Sequence, residues 1–513
     1  MKKTILFSLL VLALASCKKE TTPTTTEPEF FVNEDASSFA ETSSFDVGEA
    51  GAAEITAFDP ITKKLFVVRN ENEGLPNQLN QIEVIDFSNP SAMKSIGTIA
   101  MLPFGGGVNS VAVHDGKLAA AIQATDKQAN GKVVVFKTSD YSKIAEVVVG
   151  ALPDMVTFSP DGKYIMSANE GEPNAAYTND PSGTVSIISV VDNYTVTTID
   201  FSSMAGQQTD LMSKGMRIFG KGASFVKDIE PEYITISEDS KTAWVTLQEN
   251  NAIAKINIAS KTITNIFPLG FKDYSLAGNE VDLSDKDKGY KSAKWNVKGM
   301  YLPDAIALLE DNGTPYLFTA NEGDAREYDG YSEILRISSK DVKVDPTAFP
   351  DATNLKQEAN LGRLNITTSL GDKDGDGDLD ELYSFGSRSF SVWNGTTGAQ
   401  IFDSKNELDK VCVTANAYDD GRSDDKSVEP EGVTIGKVGN KKVAFIGMER
   451  ADAVAVYDVT IPSKPVFLQL LKCGDAPEGL LFIPAKDSPT QKSLLLVSSE
   501  GDGVIKVYTP KTI

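Results

Sequence analysis

The chain has 513 residues, 41% hydrophobic and 24% charged, a globular composition with ample length for a large core. A formal net charge of −23 argues against nucleic acid as a partner and for cations or cationic ligands. A single histidine, His114, in a short turn, argues against a histidine-rich zinc site and against a histidine-based catalytic triad.

Residues 1–16 carry Lys2 and Lys3 and then an apolar run, 5–15, too short to span a bilayer. The run ends Leu14-Ala15-Ser16-Cys17, which resembles a bacterial lipobox. That resemblance implies cleavage before Cys17, acylation of Cys17, and attachment to the outer membrane, facing the periplasm or the exterior. Residues 17–44 are rich in Thr, Pro and Glu without periodicity, as expected of a disordered tether. Of the two remaining cysteines, Cys412 and Cys473 are candidates for pairing in an oxidising compartment, with proximity left open by the sequence.

From about residue 45 to 513, short apolar or alternating runs separated by Gly, Asp, Asn and Pro replace helical patterns. The stretch 152–188 sets the design. It predicts strands over 155–158, 164–167 and 184–188, with Ser159-Pro160-Asp161-Gly162 as the first turn. Asp154 precedes the first strand and Glu170 follows the second, so an antiparallel hairpin makes them neighbours on one edge. The first-strand acid recurs as Glu54, Asp154, Glu232, Asp304, Glu431 and Glu478, with Asn109 in a further copy. The second-strand acid recurs as Glu71, Glu170, Glu249, Glu322, Glu449 and Glu500, 16 to 22 residues later in each copy.

A four-stranded propeller blade takes roughly 40–50 residues. The 127 residues from Asp304 to Glu431 leave room for an extra blade, with strands over 364–368, 382–386, 389–393 and 400–403. The expectation is an all-β fold, a single propeller of eight blades with seven as the alternative. An N-terminal strand near 45–47 would supply the missing outer strand of the last copy and close the ring. Excess length at 202–226, 271–300, 339–360 and 404–428 is expected to form loop insertions.

With first strands innermost, Asp154, Glu170, Glu232, Glu249, Asp304, Glu322, Glu431, Glu449, Glu478 and Glu500 form an acidic ring at one channel mouth. Carboxylates so crowded raise one another's pKa unless a cation intervenes, and oxygen ligands without His or Cys select Ca²⁺ or Mg²⁺. The bland alternative is that each acid fixes turn geometry by accepting backbone N–H bonds. Arg326 and Arg450 follow second-strand acids, placed to neutralise this charge or hold an anion, and Asn169, Asn321 and Asn416 offer neutral oxygens.

A second constellation is local. Asp372, Asp374 and Asp376 occupy positions 1, 3 and 5 of an EF-hand-like loop, with Gly377 at the sharp turn. Asp378 would give its backbone carbonyl and Asp380 a carboxylate, while Tyr383 stands where an EF-hand has Glu. The loop is similar to calcium loops of dockerins, thrombospondin repeats and integrin propellers, which implies a structural calcium in a blade hairpin, opposite the acid pairs.

Leu152-Pro153-Asp154 with Asn169-Glu170-Gly171-Glu172, Leu302-Pro303-Asp304 with Asn321-Glu322-Gly323-Asp324, the 372–380 loop and Glu429-Pro430-Glu431-Gly432 resemble the choice-of-anchor I family. The resemblance implies a secreted or surface-anchored bacterial propeller, here anchored through Cys17. It also implies a second line of thought, since some relatives carry alkaline-phosphatase-like labels. One expected function is a calcium-stabilised envelope module binding a protein, glycan or phosphorylated small molecule at its acidic face. The alternative is a calcium-dependent phosphoesterase with Glu232, Asp304, Arg326 and Arg450 as candidate catalytic residues.

Overall fold

A computed structural model describes residues 30–513 apart from 73, 74, 76 and 77, so the lipobox and the acylation expected at Cys17 lie outside the described residues. Seven four-stranded antiparallel sheets dominate. Their first strands are Ala52–Asp59, Val108–His114, Pro153–Phe158, Pro231–Ile236, Ile306–Asp311, Pro430–Val438 and Pro477–Ile483, and the sheets are numbered here in that order. Second strands are almost wholly buried, as in Lys117–Ile122 and Leu494–Ser499, whereas fourth strands such as Lys143–Ala151 alternate with solvent. That gradient is what stacked sheets with one wet outer edge require.

Each sheet buries its faces against its neighbours. Leu118, Val134, Phe66 and Val84 pack between sheets one and two, and Val156 and Ile165 against Ala121 and Val133 between two and three. The sequence continues around to Leu496 and Ile505 of sheet seven, which pack on Leu65 and Phe58 of sheet one. Burial of each large side chain contributes roughly 1.5–3 kcal/mol. First strands touch in the same order, and Pro477–Ile483 touches Ala52–Asp59. This is the arrangement of a β-propeller.

Two expectations change. Among the described residues the strands expected for an eighth blade do not share a sheet: Phe390–Asn394 and Gln400–Asp403 follow Thr314–Ala320 in sheet five. Asn365–Thr367 and Tyr383–Ser384 instead join Phe271–Asp273, Lys298–Met300 and Ile334–Arg336 in a five-stranded sheet inserted beside it. The stretch 17–44, expected to be a disordered tether, contains ordered structure, because Glu34–Asp46 is a strand paired with Val504–Thr512 as the outer strand of sheet seven. Cys412 and Cys473 are both free thiols, one packed between sheets five and six and the other against the contact of six and seven.

The long connections share a side. Those between Thr195–Ile199 and Pro231–Ile236, Thr262–Pro268 and Ile306–Asp311, Thr314–Ala320 and Phe390–Asn394, and Gln400–Asp403 and Pro430–Val438 all leave from the edge carrying the paired acids. Turns at the opposite edge are short, as at Ser159, where the hydroxyl accepts the Tyr164 N–H at 3.0 Å and Gly162 has φ 67°. His114 stacks on Phe158 near these turns, ring centroids 5.7 Å apart and remote from the acids. Trp244 and Trp393 are buried between sheets four and five, and Trp295 packs in the inserted sheet.

Candidate functional site

The first-strand acids sit in a repeated backbone irregularity. Register shifts fall between Ala52 and Thr56, Pro153 and Val156, Pro231 and Ile234, Pro430 and Val433, and Pro477 and Leu480, bracketing Glu54, Asp154, Glu232, Glu431 and Glu478. Such bulges re-aim a side chain out of the ladder. Leu152, Leu302, Glu429 and Ala476, each two residues before its acid, are held left-handed at φ 43–52°. Non-glycine residues in that region carry strain, which clusters where geometry serves a ligand. The second-strand acid is tied to the same place: Glu170, Glu449 and Glu500 donate their N–H to the carbonyls of Leu152, Glu429 and Ala476 at 2.8–3.0 Å.

Around the axis, Glu54, Asn109, Asp154, Asp304 and Glu478 line a pit of about 40 Å³. Ile55, Met155, Ala305, Val433, Leu480 and Tyr233 complete its lining, and Tyr233 packs against three of the inter-sheet clusters. Glu232 and Glu431 each keep one carboxylate oxygen without a hydrogen bond. Burial, and then the Asp304 and Glu249 carboxylates, push Glu232 well above the usual range, and burial with Glu431 and Glu54 does the same for Glu478. Glu431 and Asp304 are raised in the same way. Asp154 is pushed to about 7 by burial and Glu172. Among the described residues, no three of these axial acids bring oxygens within 4.8 Å of one another.

Off the axis the acids do converge. Glu170, just after the second strand of sheet three, Glu230, just before sheet four, and Glu249, two residues past the second strand of sheet four, place oxygens all within 4.8 Å. Glu230 is 2% exposed, one oxygen bound to Arg326 at 2.9 Å and the other, Oε1, without a partner. Burial and then neighbouring acids raise Glu170 and Glu230 well above the carboxylate range, while burial takes Glu249 to about 7. Sequence reasoning missed Glu230. The doubled acids in Glu230-Pro231-Glu232 and Glu429-Pro430-Glu431, and in the 170–172 and 322–324 pairs, were the signal available.

A repeat-equivalent triad, Glu322, Glu429 and Glu449, also brings its oxygens within 4.8 Å, and here cations enter. Lys426 Nζ lies 2.6 Å from Glu322, and Arg450 and Arg422 approach Glu449 and Glu429 at 2.9 and 2.5 Å. Burial pushes Glu322 up, but the Lys426 ammonium and the Gln248 amide outweigh it and hold Glu322 below the usual range. Glu71 is bound to Arg69 at 2.7 Å, and Glu500 borders a separate cleft with Glu54, Asn109 and Lys127.

Arg326 is not placed to hold an anion. It is 2% exposed and bound to Asp228 and Glu230, its plane 4.6 Å from the Phe219 ring centre. Arg450 is 43% exposed at the mouth and remains accessible. Asn169 and Asn321 do not offer oxygens there, since both are buried among Ser186, Thr184, Ser389 and Ser391 within their sheets.

The 372–380 loop lies in the inserted five-stranded sheet, joining Asn365–Thr367 to Tyr383–Ser384, and not in a blade hairpin. Asp372 accepts the Gly375 and Gly377 N–H groups at 2.7 and 3.0 Å. Asp372, Asp374 and Asp380 converge within 4.8 Å, and Asp378 and Asp380 converge with Asp345. Asp376 belongs to neither group and accepts the Asp378 N–H at 3.1 Å.

The choice-of-anchor I domain model matches residues 54–462. The chain belongs to the choice-of-anchor I family. Among curated proteins, this family member is 26% identical to Gigasin-3a of Magallana gigas over 189 residues, 30% of the chain and 66% of that protein. It is 24% identical to the mesenchyme-specific cell surface glycoprotein of Strongylocentrotus purpuratus over 304 residues, 50% of the chain and 39% of that protein. The choice-of-anchor I chain thus spans less than two thirds of either relative. Similar solved structures include hydrazine synthase of Kuenenia stuttgartiensis (TM-score 0.49, 12% identity, 91% of this chain and 97% of that one). The Cps50 (Swd1) β-propeller domain of Myceliophteria thermophila has TM-score 0.47 at 8% identity, covering 91% of this chain and 100% of that one. Among the described residues, no helix is long and apolar enough to cross a membrane.

Proposed function

We propose that this protein is a calcium-dependent binding module of the cell envelope, a seven-bladed propeller closed by its N-terminal strand and anchored through acylated Cys17. Its acidic mouth takes a cation at Glu170, Glu230 and Glu249. The observation carrying this reading is the convergence of two buried carboxylates and the partly buried Glu170, with an unpartnered Glu230 oxygen. Arg326 compensates one Glu230 oxygen, and burying the carboxylate charge that remains is costly unless protons or a cation relieve it. An all-oxygen set of three carboxylates, with Glu172 nearby, suits Ca²⁺ better than Mg²⁺, which is usually held by one or two. Bound there, Ca²⁺ supplies coordination positions for the oxygens of an anionic glycan, a protein carboxylate or a phosphorylated small molecule. The chain's part is to fix the three carboxylates beside strand ends, where packing restricts water. A second calcium at Asp372, Asp374 and Asp380 would stiffen the inserted sheet.

The test is calcium titration of the full chain by calorimetry. Glu230→Gln is expected to weaken one site tenfold or more while leaving the loop site unchanged. An identical isotherm for wild type and variant would sink the reading.

Arg450 gives the hydrolytic alternative its footing, as a half-exposed guanidinium beside Glu449. A phosphoesterase would turn over a phosphomonoester in Ca²⁺ and lose that turnover in Glu232→Gln or Asp304→Asn. Absence of turnover by the calcium-replete wild type on monoesters, diesters and phytate would leave the binding module.

A further inference from the structure

The two off-axis triads are copies of one another, and each is preceded by a lysine at the same offset. Lys227-Asp228-Ile229-Glu230-Pro231-Glu232 leads into sheet four, and Lys426-Ser427-Val428-Glu429-Pro430-Glu431 leads into sheet six. Lys227 turns outward, its Nζ donating to the Asp180 carbonyl at 2.9 Å. Lys426 turns inward, with Nζ 2.6 Å from Glu322, 3.4 Å from Glu429 and 3.7 Å from Asp324. The backbone explains the difference. Ser427 and Glu429 are left-handed at φ 63° and 49°, and the equivalent Asp228 and Glu230 are not. At the first copy buried Arg326 takes the Asp228 carboxylate and Glu230 Oε2, and Glu230 Oε1 is left without a partner.

We infer that Lys426 is a built-in counter-ion occupying the second calcium position of the mouth, so that the chain holds metal in one triad and its own ammonium in the other. This rests on the calcium reading of the Glu170 triad. Glu429 is 0% exposed, with Oε2 lacking a hydrogen bond and facing Lys426 and Arg450 at 3.4 Å each. Its only relief is therefore ionic. One ammonium carries one charge where a divalent cation would carry two, and Arg450 and Arg422 supply the remainder at Glu449 and Glu429. The pairing also costs the mouth a coordination site: an ammonium donates hydrogen bonds but offers no empty ligand position. A ligand is consequently gripped through metal on the side of sheets three and four, and meets only fixed cations on the side of sheets five and six. Lys426 thereby sets the direction in which an anionic ligand lies across the mouth.

The experiment counts Ca²⁺ per full chain by equilibrium dialysis after chelator treatment. Lys426→Met is expected to gain one Ca²⁺ per chain, and Lys426→Met/Glu449→Gln to lose that gain again. Lys426→Arg, which keeps the charge, gains none. An unchanged count in Lys426→Met overturns the inference. Should that variant fold poorly, the native background decides: Glu449→Gln leaves the wild-type count unchanged, and loss of one Ca²⁺ would mean that metal, not Lys426, fills this triad. The calcium reading itself fails separately, by no loss of Ca²⁺ in Glu230→Gln.

Discussion

The exposed 372–380 loop and the buried triad of Glu170, Glu230 and Glu249 each gather three carboxylate oxygens within 4.8 Å, by opposite means. In the loop, backbone amides hold Asp372 through short local bonds and water surrounds the rest. In the triad, three strand ends from two sheets bring the acids together and the packing removes water. There a proton and a cation compete for the same oxygens. One site is a motif, the other a consequence of the fold.

The comparison breaks most visibly at Arg326. Arg326→Met leaves Asp228 and Glu230 buried without their partner, a loss of about 3–5 kcal/mol by urea unfolding. Unaltered stability would show that the triad tolerates its charge in another way. Next in size is calcium removal. At a hundredfold excess over Kd, ligand binding stabilises by about 2.7 kcal/mol per site. Chelator is therefore expected to lower the Tm clearly, with Glu230→Gln removing the triad's share of that response. Equal chelator shifts in the variant and the wild type would assign the whole response elsewhere.

The pH response separates the two sites further. Asp154, Glu249 and Glu449 sit at about 7, above the ordinary carboxylate range of the unfolded chain. The metal-free folded protein thus binds more protons than the unfolded chain across that window, and its stability falls as pH rises from about 4 to 7. Melting in chelator should be higher at pH 5 than at pH 8, and calcium should narrow the gap. A metal-free Tm that rises across this window would contradict the crowding of these acids. The smallest effect belongs to the loop. Asp372→Ala should weaken its calcium site by tenfold or more, and Asp376→Ala by less, because Asp376 stands outside the convergent set. The reverse order in terbium luminescence titrations would restore the EF-hand-like assignment of Asp376.

The repeat was legible because one acid recurs at each strand edge, at nearly constant spacing. Glu230 and Glu429 were hidden by the same regularity. Other copies carry Leu152, Leu302 or Ala476 at that position, so a consensus drops the acids that matter most. The Asp304 to Glu431 interval misled for a different reason. Apolar runs at Asn365–Thr367 and Tyr383–Ser384 are real strands, but hydrophobic pattern does not say which sheet a strand joins. Pairing partners there are non-local, and Thr314–Ala320 finds Phe390–Asn394 across the whole insertion. Arg326 looked available because it follows Glu322 closely, and only the fold turns it inward toward Asp228.

The pairing of Glu34–Asp46 with Val504–Thr512 gives the molecule a mechanical weak point with a latch. Glu34 lies opposite Thr512, so a pull arriving from the N-terminal side loads that end of the strand first. Bonds of an antiparallel pair pulled from one end fail one after another, by peeling, and not all together in shear. Glu34 adds a side-chain hold at that end: its buried carboxylate accepts the Ser493 N–H at 2.9 Å and the Ser493 hydroxyl at 2.6 Å. A pull on that side therefore meets the glutamate–serine clasp and the Asn33–Ile513 bond before it reaches the rest of the strand pair.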